Sequence, residues 1–266
     1  MLSLLDANLS TLDRGLNYGD GFFTTILVQS GKLTLWDYHL KRLKRAQLQL
    51  GFPSLDFVTI KKDADKHASK ANNAVLKVTI TRGEGGRGYG LPECVKPSVF
   101  MSISEFPQSY INFRDSGISI GIAKQRLASG SAFSSIKTLN RLEQVLLKRE
   151  ADSTGVVDLV CCDIFDQVVE GVASNLFWVK DKVIYTSDLD SAGVAGVQRQ
   201  FLLDNVKHSP YQIQLGKFKI EDVVAADEIF VSNSVLQFAP VNTFNERNYE
   251  RFPVCRWFQN LVKNAS

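Results

Sequence analysis

Lys137 is the candidate nucleophile of this chain. A lysine amine can add to a carbonyl carbon and, once freed, carry a proton to or from carbon, which suits it to covalent catalysis. It stands in Ser135-Ile136-Lys137-Thr138-Leu139-Asn140, between two stretches of different periodicity. Residues 117–122 alternate apolar and small side chains as a strand does, whereas Leu139, Leu142, Val145 and Leu146 recur with helical spacing. Asn140 with Glu143 three positions on has the form of an N-cap and its capping-box partner, so the helix is predicted to start after the lysine. Lys137 therefore falls in a strand-to-helix connection. Such connections carry chemistry more often than cores do, although a lone loop lysine is most often a solvated surface charge.

Other groups bear on what that chemistry could be. Arg42 follows His39 by three residues, which puts both on one helix face. Gly83, Gly85 and Gly88 satisfy G-x-G-x-x-G, but Gly90-Leu91-Pro92-Glu93 is poor helix sequence, so no helix N-terminus is supplied for a pyrophosphate. No Gly-Lys-Ser/Thr follows, which removes a P-loop as well. What remains is a flexible glycine-rich loop carrying Arg82 and Arg87. Ser191-Ala192-Gly193-Val194-Ala195-Gly196 precedes an apolar-periodic helix predicted from Val197, and amides at such a helix start can hold a phosphate. His39, His67 and His208 are scattered, so metal chemistry is not expected. Cys94, Cys161, Cys162 and Cys255 form no C-x-x-C pair; free and mostly buried thiols are expected, with Cys161 and Cys162 on opposite faces of a strand.

The elements that must position these groups read as α+β in two domains: 1–106, a linker over 107–117, and 118–266. Thr24 to Gln29 and Lys32-Leu33 flank Ser30-Gly31 as a hairpin. A helix follows, capped by Asp37, with Leu40, Leu43 and Leu50 on its apolar stripe; Lys41, Lys44 and Arg45 are its wet face rather than a nucleic-acid patch. Strands are predicted over 75–81, 156–161, 167–170 and 228–231, and a packing helix over 255–262. The chain has 266 residues, 44% hydrophobic and 22% charged, as in a globular protein with a substantial core. A net charge of +3 is too slight to argue for nucleic acid or an anionic membrane. No apolar run approaches the ~18 residues of a bilayer span, and Met1-Leu2-Ser3-Leu4-Leu5-Asp6 lacks the features of a signal peptide, so a cytoplasmic protein is expected.

Six segments in chain order carry a resemblance: Tyr18-Gly19-Asp20-Gly21, His39 to Leu43, Arg82 to Tyr89, Ser135 to Gln144, Glu170 to Phe177, and Gly193 to Arg199. Together they resemble the fold-type IV pyridoxal-phosphate (PLP) enzymes, a group that holds branched-chain and D-amino-acid aminotransferases and a lyase acting on 4-amino-4-deoxychorismate. The resemblance implies a two-domain D-amino-acid aminotransferase-like fold with PLP in the cleft between the domains, usually in a homodimer. It makes Lys137 the cofactor lysine and Glu170 the partner of the pyridine nitrogen, where a carboxylate favours the protonated ring. Arg42 would grip the cofactor phosphate, together with backbone groups of Gly196, Val197 and Gln198 and the turn at Asn233 and Ser234. Arg87, with Tyr89 beside it, would meet a substrate carboxylate, which a guanidinium fork matches well. Thr25 would lie near the substrate as a hydrogen-bond or proton donor.

Within the family, Thr24-Thr25, Gly85 to Tyr89 and Asn140 to Gln144 resemble the lyase branch; the compared aminotransferases carry glutamate where this chain has Thr24. The implied reaction releases pyruvate from 4-amino-4-deoxychorismate, a substrate with two carboxylates, and leaves the folate precursor 4-aminobenzoate. Lys137 would remove the proton at the amine-bearing carbon, and Lys137 or Thr25 would protonate the departing group. Functional coupling to the upstream synthase is a further expectation. The rival readings are a D-amino-acid or branched-chain aminotransferase using the same lysine, and a PLP-binding protein without catalysis.

Overall fold

A computed structural model describes residues 3–4 and 9–265. Of the N-terminal stretch read for a signal peptide, all but residues 3 and 4 lie outside the described residues. The chain divides into two compact units: Met1–Phe106 with Ile136–Arg141, and Pro107–Ser135 with Leu142–Ser266. The segment around Lys137, grouped by the sequence reading with 118–266, clusters with the first unit.

The first unit contains β1 (Ser3–Leu4), α1 (Arg14–Tyr18), β2 (Gly21–Gln29), β3 (Lys32–Leu33), α2 (Trp36–Gln49), α3 (Phe57–Ala68), β4 (Asn73–Thr81) and β5 (Ser98–Glu105). Its antiparallel sheet has the order β1-β5-β4-β2-β3. The sequence GFFTTILVQ of β2 is rich in aromatic and β-branched residues, which suit a pleated, half-buried surface. Its alternation sends Phe22, Ile26 and Val28 into a core with Leu76, Val78 and Ile80 of β4 and with Leu43, Ala46, Ile60 and Ala64 of the helices. The hairpin turns at Ser30 and Gly31, both at positive φ. Helix α2 is preceded by Leu35 in the left-handed conformation, and Asp37 lies in its first turn instead of capping it. Leu43 is buried with Trp36, His39 and Ala46, while Lys41, Lys44 and Arg45 are exposed.

The second unit contains α4 (Ser109–Ser116), β6 (Ile118–Ile122), α5 (Leu142–Thr154), β7 (Asp158–Cys162), β8 (Val168–Gly171), β9 (Asn175–Lys180), β10 (Val183–Ser187), α6 (Val197–Asn205), β11 (Gln212–Gly216), α7 (Ile220–Val224), β12 (Glu228–Asn233), β13 (Gln237–Phe244), β14 (Arg247–Asn248) and α8 (Pro253–Ala265). Its mixed sheet runs β11-β10-β9-β12-β13-β6-β7-β8, with β14 on β13. Helix α4 lies inside the stretch read as linker; Arg114 ties it down by donating to the carbonyls of Leu236 and Val235 at 2.8 and 2.7 Å. Cys161 and Cys162 enter different core clusters, as alternation along a strand requires. All four cysteines are free, and only Cys94 is exposed.

Helix α5 departs from its sequence pattern. It begins at Leu142, Glu143 accepts from the Ala128 amide at 3.0 Å, and Asn140 donates to the Tyr18 carbonyl at 3.1 Å, so no capping box forms. Leu142, Val145 and Leu146 are exposed, and the helix packs through Leu147 and Ala151. Among the described residues no helix is long and apolar enough to cross a membrane.

Candidate active site

In the first unit, Lys137 is held through its backbone. The Phe23 amide donates to the Lys137 carbonyl at 3.0 Å and the Leu139 amide to the Gly21 carbonyl at 3.0 Å, so the segment forms an antiparallel bridge to the start of β2. Thr138 is buried, and Arg141 donates to its hydroxyl at 2.7 Å and to its carbonyl at 3.0 Å. Gly21 allows this approach: a Cβ there would stand 2.8 Å from a Leu139 methyl and 2.5 Å from the Ile80 carbonyl oxygen. The half-buried Lys137 side chain places Nζ 4.8 Å from the centroid of the Phe23 ring. Alternation puts Phe23 and Thr25 on the face of β2 opposite Phe22 and Thr24, and Thr25 is paired with Lys77 of β4. The Lys77 ammonium lies 4.5 Å from the same ring, and burial pushes its pKa down. Lys77 had no part in the sequence reading; its place opposite Thr25 follows from strand register, which the sequence leaves open.

On the core face of β2, Thr24 is fully buried and joins two residues of α2. Its Oγ1 lies 2.6 Å from Nδ1 of His39 and accepts from Nη2 of Arg42 in a very short hydrogen bond. The predicted shared face of His39 and Arg42 is thus the face that meets Thr24. Burial, then the neighbouring Arg42 cation, holds the His39 pKa well below its ordinary value; burial lowers that of Arg42 to about 10. Nε of Arg42 and Nε2 of His39 are buried without a hydrogen-bond partner among the described residues. A guanidinium with an unpaired, desolvated N–H fits a phosphate, which accepts strongly from charged donors.

The two arginines of the glycine-rich loop separate. Arg82 is buried, donates to Asp20 at 2.8 Å and to the carbonyls of Leu50 and Gly51, and stacks over Phe52. Arg87 and Tyr89 are exposed. The loop forms no helix, and its carbonyls are bound by Arg14, so it is tied down where flexibility was expected.

In the second unit, Glu170 is buried at the end of β8, its Oε2 accepting from the Val194 amide at 2.9 Å and from Nδ2 of Asn175 at 3.3 Å. Asn175 also donates to the Val194 carbonyl at 2.8 Å and accepts from the Gly196 amide at 3.1 Å. It therefore fixes the turn that starts α6. Ser135 bridges to the same turn: its amide donates to the Gly193 carbonyl and its carbonyl accepts from Ala195, both at 3.0 Å. Helix α6 has Gly196 as N-cap with no side-chain cap, and Gln198 is buried with Oε1 unpartnered among the described residues. A Cβ on Gly196 would stand 2.1 Å from Asn175 Oδ1, so any larger residue displaces the Asn175 side chain from this turn. Uncapped amides beside a buried polar side chain fit an anion such as a cofactor phosphate. Asn233 uses its side chain on its own turn, accepting from Leu236 at 2.7 Å and Val235 at 3.0 Å and donating to the Ala173 carbonyl; Ser234 follows it at the end of β12.

Two residues outside the candidate set shape this unit. Asp158, buried, accepts from the amides of Leu159 and Val172 and from the Ser174 hydroxyl at 2.7 Å, which clamps the turn between Glu170 and Asn175. Burial raises its pKa. Asn175 belongs to the quoted Glu170-to-Phe177 signature and could have been found there; Asp158 carries no such signal. Among the described residues, no group of three or more His, Cys, Asp or Glu could hold a metal ion.

Comparison with known proteins gives a consistent result. The family described as amino-transferase class IV matches residues 21–244. The aminodeoxychorismate lyase of Vibrio harveyi is 35% identical over 255 residues, which cover 96% of this chain and 94% of that protein. The crystal structure of 4-amino-4-deoxychorismate lyase from Pseudomonas aeruginosa superposes with a TM-score of 0.92 at 32% identity, covering 99% of this chain and 98% of that one. A PLP-bound hypothetical aminotransferase from Mycobacterium tuberculosis shares the fold, with a TM-score of 0.86 at 22% identity over 100% of this chain and 98% of that one.

Proposed function

The chain belongs to the amino-transferase class IV family of PLP-dependent enzymes, and from that premise we propose that it is a lyase releasing pyruvate from 4-amino-4-deoxychorismate to leave 4-aminobenzoate. The observation that carries the reading is the 35% identity, over nearly the whole chain, to an aminodeoxychorismate lyase. Thr24 supports it, because the buried partner of Arg42 is a hydroxyl, and the sequence resemblance implies a glutamate at that place in the aminotransferases.

Lys137 is the residue that would hold the cofactor covalently. Arg42, the backbone of Gly196, Val197 and Gln198, and the Asn233–Ser234 turn would hold its phosphate, and Glu170 its pyridine nitrogen. Bound PLP supplies an electron sink for negative charge developing on carbon. The Lys137 amine, once released, takes the proton from the ring carbon that bears the substrate nitrogen. The ring carbon–oxygen bond then breaks, the ring becomes aromatic, and the enolpyruvyl group leaves with the bond's electron pair. Lys137 or Thr25 returns a proton to that group, which becomes pyruvate, so atoms balance without a co-reactant. Arg87, with Tyr89, grips a substrate carboxylate.

The same reading divides the chain into domains over 1–106 and 118–266 with a linker over 107–117, and makes it a cytoplasmic homodimer functionally coupled to the upstream synthase. The exposed Leu142, Val145 and Leu146 of α5 support the dimer, since apolar side chains clustered on one surface suit a protein interface.

The test supplies the PLP-loaded protein with enzymatically generated aminodeoxychorismate and follows both products, with Lys137→Ala as control. Equal, Lys137-dependent formation of 4-aminobenzoate and pyruvate is expected. No acceleration, together with turnover of D-alanine and a keto acid, would move the function to transamination.

A further inference from the structure

Arg14 belongs to the five-residue helix α1, yet its side chain serves the glycine-rich loop. It is 4% exposed, and its Nε donates to Asp20 at 2.9 Å. Its terminal nitrogens point at loop carbonyls. Nη1 reaches the oxygens of Gly90 at 2.9 Å, Gly85 at 3.3 Å and Gly88 at 3.4 Å, and Nη2 that of Tyr89 at 3.2 Å. The guanidinium also lies 5.0 Å from the Tyr18 ring, whose neighbour at 5.5 Å, edge on, is the Tyr89 ring. Four carbonyls from six consecutive residues thus converge on one cation. The planar fork of arginine, with five N–H groups in fixed directions, can serve such an arrangement; the single ammonium of lysine cannot.

The glycines make the arrangement possible. Gly85, Gly86 and Gly88 have φ of 102°, 80° and 57°, in the left-handed region that glycine enters without steric cost. A Cβ on Gly86 would stand 2.2 Å from the Gly90 carbonyl oxygen and 3.1 Å from Arg14 Nη1. The pattern that mimics a dinucleotide motif is a carbonyl cage around a guanidinium. Arg87 and Tyr89 stay exposed on the outside of it, Tyr89 at 88%.

We infer that Arg14 is a positioning residue for substrate specificity: it holds residues 85–90 in one conformation so that Arg87 meets a substrate carboxylate without first ordering the loop. The inference rests on the reading of Arg87 given above. A preformed loop avoids the entropy cost that binding would otherwise bear, so its loss acts on substrate affinity more than on the chemical step.

Four variants of the PLP-loaded enzyme test it: Gly86→Ala, Arg14→Lys, Arg87→Ala and Gly86→Ala/Arg87→Ala. Two readouts are taken: trypsin cleavage at the Arg87–Gly88 bond, followed by mass spectrometry, and the steady-state constants for aminodeoxychorismate. Gly86→Ala and Arg14→Lys are expected to speed that cleavage about tenfold, as local opening becomes easier. They should raise KM by about tenfold with kcat within about twofold, the split expected when binding but not chemistry is lost. The PLP absorption band should not change. Arg87→Ala should raise KM as well, and the double variant should match it, because the latch acts through Arg87. Unchanged cleavage in Gly86→Ala and Arg14→Lys overturns the latch. Full additivity in the double variant, or an Arg87→Ala enzyme with unchanged KM, overturns the positioning role, and the latter also ends the reading of Arg87 itself. Should Arg14→Lys not fold, Gly86→Ala carries the test, since it leaves the Arg14–Asp20 pair in place.

Discussion

The Thr24 hydroxyl lies 2.6 Å from Nδ1 of His39. Because Arg42 can only donate, the hydroxyl accepts from it, and it shares a second hydrogen bond with the imidazole. Threonine thus serves a cation and an imidazole at once. Thr24→Val keeps the shape and removes both bonds, leaving two buried polar groups unsatisfied; a loss of about 2 kcal/mol is expected. Urea unfolding would read it, and PLP should bind more weakly to the variant while pyridoxal, which lacks the phosphate, binds as before.

His39 makes acid stability testable. Its pKa is lowered in the folded protein, so below the ordinary value of 6.5 the unfolded chain takes up a proton that the folded one refuses. Stability is therefore lost as pH falls below that value. The drop in urea midpoint between pH 7.5 and 5.5 should be smaller in His39→Asn than in the unaltered protein, and equal drops would show that the histidine is not held neutral.

Glu228 should act in the opposite direction. Its carboxylate accepts from the first amides of α8, Val254 at 3.0 Å and Cys255 at 2.7 Å, yet burial raises its pKa to about 7. Between its ordinary value of 4.5 and about 7 the folded state binds the extra proton, so this group's contribution falls as pH rises through that window. The change is on the order of 3 kcal/mol. Glu228→Gln, scanned for Tm from pH 5 to 8, should lack this component.

Glu170→Gln should leave the fold intact, since an amide oxygen can still accept from Val194. The charge proposed to pair with the cofactor nitrogen would be gone. A fall in kcat of roughly 100-fold or more is expected, the scale of lost electrostatic stabilisation. Unchanged turnover would remove the role assigned to Glu170.

Gly196→Ala places a methyl against Asn175 at a φ of −71°, which alanine adopts freely. Its cost is therefore steric and falls on the start of α6. We expect a destabilisation of about 1–3 kcal/mol, as for overpacking. A rise in the Kd for PLP with no rise for pyridoxal would assign the effect to the phosphate.

Much of this was legible in the sequence. Strands β2 and β4 follow from alternation, and the shared face of His39 and Arg42 from helical spacing. What that face meets was not legible, because Thr24 arrives from another element. Arg82 and Arg87 look alike in the sequence; one is a buried structural cation and the other exposed, and the places of Asp20, Phe52 and the Leu50 and Gly51 carbonyls separate them. The α5 stripe misleads because its apolar residues mark an outer surface, and periodicity cannot tell a core face from an exposed one. Arg14 escaped notice because its partners are carbonyls, which every sequence has.

The residues that pair with Gly21 and Phe23 arrive more than 110 positions later, since Ile136–Arg141 completes the unit begun by Met1–Phe106. A ribosome must therefore deliver some 140 residues before that unit has all its parts. The contact that seats Lys137 is of long range, and closing so long a loop is a slow step. Lys137 thus takes its place late in synthesis, after the strand that receives it has been made.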